Sequence, residues 1–408
     1  MTARLASCLV GLAVAAAGCA GSHDKPASNE PQSAGSAAAN TTSSMVAQPS
    51  SSTKAPDAVA TAKAYQDTAA PSLPPRALPA AVTLPELMER FGPRGLASRA
   101  KFKDVRVTTS GDPAHRFVLL EPQGVTVSAH VVLFFHGWDG INPKFYGAWL
   151  DYLTRQGQVV VFIGYQAKPN DAPSTITDVA HHALTEALKE LRAPGHAPVD
   201  LTSVGAIGYS MGASVALNLA LPLRFPDLPR ISGLFLANPA DGFDVPSGKT
   251  GGSILLGVEQ LPADTRVVIA IAESDAISKR GRPLYKRLCY LPAAQRNLIV
   301  LHSDSRATPA LKADHVAPSA YSRAFDYDPT ARASLVLPPR SDPWTSSGID
   351  ALDLYGYWKL ADALLDATFA RVDAAAAFGS GPAVRFAGVL PDGRPTNQAT
   401  VEQGICEQ

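Results

Sequence analysis

The sequence predicts an α/β protein built on a doubly wound, mostly parallel sheet flanked by helices. Six short apolar runs are rich in Val, Ile and Leu and lack polar alternation; they lie at 130–135, 158–164, 204–208, 231–237, 266–272 and 297–302. Such runs are typical of strands buried on both faces, as in parallel sheets. Helical patterns alternate with them, which favours a parallel sheet covered by helices.

Shorter signals precede the first of these runs. Thr83 and Glu86 have the spacing of a capping box and predict a short helix that ends near Arg90. Two runs interrupted by polar residues, near 103–108 and 116–121, predict two further strands.

Helices are predicted between and after the apolar runs. The segment 177–191 has apolar residues at helical spacing, and similar patterns cover 211–223 and 283–291. A last amphipathic pattern over 350–369 predicts a helix that closes one edge of the sheet.

The N-terminal residues have the pattern of an export signal. Arg4 precedes an apolar stretch, 5–17, that is too short to span a bilayer. The segment 16–19 resembles the cleavage box of bacterial lipoproteins, which implies a signal peptide at 1–18 and lipidation of Cys19. We therefore expect an exported, membrane-anchored bacterial lipoprotein, in the periplasm or at the cell surface. The alternative is an ordinary signal peptide cut near Ala20 or Gly21.

Composition divides the rest of the chain. Residues 19–81 are rich in Ala, Ser and Pro and predict a disordered tether, because they hold too few large apolar side chains to form a core. Residues 82–372 predict one large α/β domain, and 373–408 a C-terminal extension that packs on it or trails from it. The sequence leaves the oligomeric state open.

Charge and metal-ligand patterns exclude several partners. Lys plus Arg and Asp plus Glu number 36 each, and no block of like charge stands out, so neither nucleic acid nor an anionic surface is expected as a partner. His181 and His182 are adjacent on a predicted helix and point about 100° apart, which makes a poor chelating pair. No metal site is predicted, and the only membrane contact expected is the lipid anchor.

Cysteine usage leaves one question open. Cys8 lies in the predicted signal peptide and Cys19 is the predicted lipid site. Cys289 and Cys406 remain, and export would place them in an oxidising compartment. They are candidates for a disulfide that pins the C-terminal extension to the domain, although spacing along the chain does not establish their distance in space.

The pentapeptide Gly-Tyr-Ser-Met-Gly at 208–212 is the most informative motif. It lies between a predicted strand and a predicted helix, which is the context of a G-x-S-x-G nucleophile elbow. In such an elbow a sharp turn exposes the serine hydroxyl, here that of Ser210, and small residues on either side let the strand and helix approach. The N-terminus of the helix favours negative charge there.

Ser210 has candidate partners after later strands. Asp275 follows the fifth apolar run and His315 follows the sixth, which is the chain order Ser, Asp, His. A base activates the hydroxyl, and an acid orients the base. The rival acids are Glu273, Asp241 and Asp244. The rival base is His302, which ends a strand and is therefore the weaker candidate.

These motifs resemble those of a known superfamily. Residues from about 100 to 370 resemble α/β-hydrolases, and the segments 208–212 and 313–318 resemble those of secreted bacterial cutinase-like and dienelactone-hydrolase-like serine esterases. The resemblance implies hydrolysis of carboxylic esters, small or polymeric, through an acyl-enzyme on Ser210 with no cofactor. The alternatives are an acyltransferase or peptidase on the same fold, or a non-catalytic surface binding protein.

The resemblance also implies an oxyanion hole. The backbone N–H of Met211 would be one donor and that of Trp138, in the His-Gly-Trp segment after the first buried strand, the other. On this interpretation His136 is structural. The Trp138 ring would wall the acyl pocket, and Tyr165 and Tyr209 would line the substrate site.

Overall fold

The computed structural model describes seven stretches of the chain: 100–167, 171–244, 252–308, 310–320, 349–369, 377–390 and 392–407. The predicted signal peptide, Cys19, the tether and the short helix at 83–90 lie outside these residues. Among the described residues, no helix is long and apolar enough to cross a membrane.

The described residues contain a sheet of nine strands. The strands are β1 (Val105–Ser110), β2 (Phe117–Pro122), β3 (Ala129–Phe135), β4 (Val159–Ile163), β5 (Val199–Tyr209), β6 (Ile231–Ala237), β7 (Arg266–Ala272), β8 (Arg296–Leu301) and β9 (Thr400–Val401). Their order is β1-β2-β4-β3-β5-β6-β7-β8-β9. Strands β3 to β8 run parallel, whereas β1, β2 and β9 pair antiparallel with their neighbours. The predicted mostly parallel sheet is confirmed, and the six apolar runs correspond to β3–β8.

Helices cover both faces of the sheet. They are α1 (Gly147–Arg155), α2 (Ile176–Leu191), α3 (Met211–Leu219), α4 (Gly281–Arg287), α5 (Lys359–Phe369) and α6 (Pro382–Arg385); a π-helix, Leu352–Trp358, leads into α5. Helix α3 ends before the predicted residue 223 because Pro222 cannot continue a helix.

The core divides into two clusters, one on each face. Successive residues of β3 alternate between them: Val132 and Phe134 lie in the cluster with α1 and α5, whereas Val131 and Leu133 lie in the cluster with α2, α3 and α4. Because both faces of each strand are covered by apolar side chains, the central strands show no polar alternation in sequence. This arrangement confirms the predicted doubly wound architecture.

Helix α1 was not predicted from the sequence. Every residue of it except Arg155 is buried, including the polar side chains of Asp151 and Thr154. It also begins at a glycine and contains Trp149 and Tyr152, which are weaker helix formers than Ala or Leu. Its existence depends on burial against the sheet and against the π-helix that leads into α5, where Trp149 stacks on Trp358 with 6.2 Å between ring centroids.

The prediction that the last helix closes an edge of the sheet is wrong. Helix α5 packs across the face formed by β5, β6 and β7. Gly205 and Gly233 make room for it, because a methyl group at either position would collide with Leu365 or Thr368 of the helix. The edge is extended instead by β9, which pairs with β8, and a disulfide between Cys289 and Cys406 lies near this edge.

The strand order reverses between β3 and β5. From β3 the chain adds β4 on one side and then β5 on the other. In open α/β sheets, ligands bind outside the carboxyl ends of the strands at such a switch point. The loop after β3 and the turn after β5 meet there.

Candidate active site

Ser210 occupies the sharp turn between β5 and α3. Its φ of 54° is in the left-handed region, which is uncommon for a residue with a side chain. The turn is held by a hydrogen bond of 2.9 Å from the Ser210 N–H to the Ala237 carbonyl at the end of β6. Such an outlier is stored strain that the surrounding contacts must maintain, and it turns the serine side chain out of the strand direction.

Two glycines allow this turn. A methyl group on Gly208 would lie 2.5 Å from the Gly212 carbonyl oxygen, and one on Gly212 would collide with the carbonyl oxygens of Phe135 and His136. Strand β5, helix α3 and the end of β3 therefore approach more closely than any side chain permits. This is the close approach that the motif predicts.

His315 lies against the serine hydroxyl. Its Nε2 is 2.8 Å from Ser210 Oγ, and its Nδ1 is 2.7 Å from Asp275 Oδ2. All three side chains are buried, at 4–7% exposure. The predicted serine, histidine and aspartate are thus brought together in one line of contacts, with the imidazole between the hydroxyl and the carboxylate.

The second oxygen of Asp275 is also engaged. Oδ1 accepts hydrogen bonds from the N–H groups of Ile277 at 2.8 Å and Ser278 at 2.9 Å. The turn after β7 therefore fixes the carboxylate plane and leaves Oδ2 to receive the imidazole N–H. A carboxylate held in this way selects the tautomer of His315 that has its proton on Nδ1 and a free lone pair on Nε2.

The rival acids and the rival base have other partners. Glu273 Oε2 pairs with His302 Nδ1 at 2.6 Å, so two of the rivals contact each other. Asp241 accepts from the N–H of Ile254 at 2.7 Å. Asp244 pairs with Arg280 at 3.0 Å. Among the described residues, the hydrogen-bond partner of the Ser210 hydroxyl is His315 and not one of these four.

The loop after β3 lies beside the serine. A methyl group built on Gly137 would be 3.2 Å from Ser210 Cβ. The Gly137 N–H donates to the Tyr146 hydroxyl at 3.0 Å, the Asp139 N–H to Gln166 Oε1 at 3.0 Å, and the Gly140 N–H to the Gly137 carbonyl at 2.9 Å. Among the described residues, no acceptor pairs with the N–H of Trp138 or of Met211. These two N–H groups are the ones expected to bind an oxyanion.

His136 supports this loop from within the core. Its ring stacks on Tyr165 with 4.0 Å between centroids, and its Nδ1 lies 2.6 Å from the Gly137 carbonyl oxygen. Burial lowers the pKa of His136 to about 4, so the ring is neutral near pH 7 and its Nδ1–H donates to that carbonyl. The Tyr165 hydroxyl donates to the His136 carbonyl.

The aromatic side chains predicted to line the substrate site are placed as follows. Tyr165 and Tyr209 are buried, and the Tyr209 hydroxyl donates to the His315 carbonyl at 3.0 Å. The Trp138 ring is partly buried and packs against the cluster that contains Met211 and Tyr165. Contact of these three rings with a substrate stays a prediction.

Two residues near the site were not singled out from the sequence. Asn238, just after β6, donates from Nδ2 to the carbonyls of Asp314 and His315. Asp139, beside Trp138, has a φ of 60°, and burial raises its pKa to about 7. The available signal was positional, since Asn238 directly follows β6 and Asp139 lies in the loop after β3, where left-handed turns at Asn and Asp are common.

The site offers no cluster of metal ligands: among the described residues, no group of three or more His, Cys, Asp or Glu side chains is arranged to hold an ion. No protein-family model matches the sequence, and no curated protein matches it either. A functional proposal therefore has to rest on the geometry of the site.

Proposed function

We propose that this protein is a serine hydrolase of the α/β-hydrolase superfamily that cleaves carboxylic esters. The observation that carries the proposal is the line of contacts from Ser210 Oγ to His315 Nε2, at 2.8 Å, and from His315 Nδ1 to Asp275 Oδ2, at 2.7 Å. The doubly wound sheet is compatible with the α/β-hydrolase fold, and the site lies at its switch point.

The first half of the reaction acylates Ser210. His315 Nε2 takes the hydroxyl proton as Oγ attacks the ester carbonyl, and the carbonyl oxygen becomes the oxyanion of a tetrahedral intermediate. The N–H groups of Trp138 and Met211 would bind that oxyanion. His315 then gives its proton to the departing alkoxide as the carbon–oxygen bond breaks, which leaves the acyl group on Oγ.

The second half repeats the cycle with water. His315 takes a proton from water as the hydroxide attacks the acyl-enzyme, and the proton returns to Ser210 Oγ when the acid leaves. Asp275 keeps its charge throughout and stabilises the imidazolium that forms in each half.

The test is the intact mass of the protein after treatment with a fluorophosphonate. We expect one adduct on the wild type and none on Ser210→Ala. Ser214→Ala is a matched control, since Ser214 is a buried serine one turn further along α3 whose hydroxyl donates to the Ala240 carbonyl at 2.7 Å. It should keep the fluorophosphonate adduct, because the nucleophile Ser210 and its partner His315 are both present.

Other outcomes separate the alternatives. A folded wild type that gives no adduct would contradict the hydrolase and favour a binding protein. A labelled protein that acts faster with an alcohol or amine acceptor, or on an amide, would be an acyltransferase or a peptidase. The ester panel should run from short acyl chains to polyesters, because both small and polymeric esters fit the proposal.

We also propose that the protein is exported and anchored through a lipid on Cys19. The support is the sequence at 16–19 alone, with the Ala-, Ser- and Pro-rich segment up to residue 81 as the tether. Metabolic labelling with a radioactive fatty acid should mark the wild type and not Cys19→Ser. Equal labelling of the two would contradict the anchor.

A further inference from the structure

We infer that Asn238 is a positioning residue whose carboxamide holds His315 at the distance from Ser210 and Asp275 that proton transfer needs. The inference rests on the proposed function for its kinetic consequence. Its structural part, that Asn238 sets the place of the imidazole, can be tested without any substrate.

Both the nitrogen and the oxygen of the Asn238 carboxamide form hydrogen bonds. Nδ2 donates to the carbonyl oxygens of Asp314, at 3.1 Å, and His315, at 3.0 Å. Oδ1 accepts from the N–H of Ala272, the last residue of β7, at 2.8 Å. One planar group thus joins the histidine-bearing segment to the end of the strand that precedes Asp275.

The backbone of Asn238 is itself anchored. Its N–H donates to the Ala270 carbonyl at 2.8 Å, and its φ of 43° is in the left-handed region that asparagine tolerates better than most residues. The side chain is 1% exposed, so water does not compete for its hydrogen bonds. The side-chain amide of Asn238 is therefore held in one position.

The turn that contains Asn238, residues 237–240, touches each part of the site. The Ala237 carbonyl accepts from the Ser210 N–H at 2.9 Å, and the Ala240 N–H donates to the Ser210 carbonyl at 3.0 Å. The Pro239 carbonyl accepts from the Ser278 hydroxyl at 2.6 Å, and the Ser278 N–H donates to Asp275 Oδ1. This single turn fixes the serine and the acid through its backbone and the histidine through the Asn238 side chain.

The His315 carbonyl receives a second donor, the Tyr209 hydroxyl, at 3.0 Å. Two donors occupy the two lone pairs of this oxygen, so the backbone from which the imidazole projects is held from two sides. His315 lies on a loop rather than in a helix or strand, and no regular ladder holds it. The side chains of Asn238 and Tyr209 supply the fixation that secondary structure does not.

Asn238→Asp is the sharpest test, because it keeps size and shape and the Oδ1 acceptor. It replaces the Nδ2 donor with an oxygen that faces two carbonyl oxygens, which repel it. We expect kcat for a p-nitrophenyl ester to fall about 100-fold with little change in KM, since a displacement near 1 Å costs about that much. The rate of fluorophosphonate labelling should fall in parallel.

Asn297→Asp is the matched control. Asn297 is also buried, and its Nδ2 also donates to two carbonyls, those of Ala377 at 2.9 Å and Gly379 at 3.1 Å. It lies at the amino end of β8, away from the carboxyl ends where Ser210 lies. This variant should lose stability as Asn238→Asp does and keep kcat. If both variants lose kcat equally, Asn238 acts only through stability and the inference is wrong.

A readout without substrate keeps this inference separate from the proposed function. The low-field ¹H resonance of the His315 Nδ1 proton, assigned with His315→Gln, reports the bond to Asp275. We expect it to move or vanish in Asn238→Asp and to persist in Asn297→Asp. An unchanged resonance in Asn238→Asp would overturn the inference even if the wild type hydrolyses esters. A wild type that shows the resonance but neither reacts with the fluorophosphonate nor hydrolyses esters would contradict the proposed function and leave the inference about Asn238 standing.

A second variant covers the case in which Asn238→Asp does not fold. Tyr209→Phe removes the other donor to the His315 carbonyl, together with the hydrogen bond between this hydroxyl and Ser319, and leaves no cavity larger than the hydroxyl. We expect a smaller fall in kcat, about tenfold, together with a shifted Nδ1 proton resonance. Unchanged kcat and an unchanged resonance would show that this carbonyl does not set the place of the imidazole.

Discussion

Asp275 Oδ2 lies 2.7 Å from His315 Nδ1, although the two residues are 40 positions apart in the chain. Glu273, only two residues before Asp275, instead pairs with His302 at the end of β8. The last residue of β7 is Ala272, so both acids lie in the turn that follows it. The turn sends one carboxylate toward the serine and the other toward the edge where β9 pairs.

Replacement of each acid by its amide should show which of the two carboxylates supports His315. In Asp275→Asn an amide nitrogen can face His315 Nδ1 and favour the wrong tautomer, so we expect kcat to fall about 10⁴-fold with the fold intact. Glu273→Gln, two residues away, should keep its activity within about twofold of the wild type. Ester hydrolysis by the two variants measures this. A large loss in Glu273→Gln alone would reverse the assignment of the acid.

Removal of one backbone N–H should test the oxyanion hole. The Gly140 N–H donates to the Gly137 carbonyl and Asp139 has a φ of 60°, whereas Trp138 is not among the residues with positive φ. This is the pattern of a type II turn with Trp138 at its second position, where proline is common. Trp138→Pro therefore removes the N–H at little structural cost, and kcat should fall about 10²- to 10³-fold.

The control for that variant is Trp138→Ala, which keeps the N–H and removes the ring. If the ring walls the acyl pocket, the alanine variant should change KM and acyl-chain preference more than kcat. Equal kcat values for the proline and alanine variants would show that the Trp138 N–H does not stabilise the transition state.

Enlargement of Gly212 should break the contact between the elbow and β3. A methyl group there would collide with the carbonyl oxygens of Phe135 and His136, which are backbone atoms and cannot rotate away. We expect Gly212→Ala to destabilise the protein by about 1–3 kcal/mol and to lower activity further by displacing the loop at Trp138. Gly252→Ala is the comparison, since a methyl group on Gly252 meets nothing within 4 Å. In a thermal unfolding measurement, Gly212→Ala should have a clearly lower melting temperature than Gly252→Ala.

Asp139 should make stability depend on pH in a defined direction. Burial raises its pKa from 3.8 to about 7, with Gln166 opposing this and Asp171 adding to it. Between these two pH values the folded state holds a proton that the unfolded chain releases, so this group's contribution to stability falls as pH rises through that window. Asp139→Asn does not titrate. Its melting temperature relative to the wild type should therefore be higher at about pH 8 than at about pH 4.

Glu121→Gln should show the opposite trend. Burial alone would raise the pKa of Glu121, but hydrogen bonds from Arg106, the Ala197 N–H and His196 outweigh burial and lower it. Its stabilising contribution is present at neutral pH and is lost in acid. The melting temperature of Glu121→Gln relative to that of the wild type should therefore be lower at about pH 8 than in acid. If the melting temperatures of Asp139→Asn and Glu121→Gln, each relative to the wild type, changed in the same direction with pH, the raised pKa of Asp139 would not explain the result.

The sequence was sufficient for the features that depend on neighbouring residues. Strands β3–β8 could be predicted because an unbroken run of Val, Ile and Leu can be buried on both faces without any knowledge of what covers it. The turn at Ser210 could be predicted because its constraint is local: Gly208 and Gly212 remove the side chains that would block strand and helix. Helix α1 was missed because it is short, begins at a glycine and contains Trp149 and Tyr152, which are weaker helix formers than Ala or Leu.

Only the tertiary structure decided among groups of the same chemistry at distant positions. Asp275, Glu273 and Asp241 are equivalent as carboxylates, and loop geometry alone brings Asp275 to the imidazole of His315. Asn238 likewise looks like an ordinary turn residue in the sequence, and only the tertiary structure brings its side chain to the His315 carbonyl. A backbone preference is set within a few residues, whereas a hydrogen bond of 2.7 Å between segments depends on how every intervening element packs.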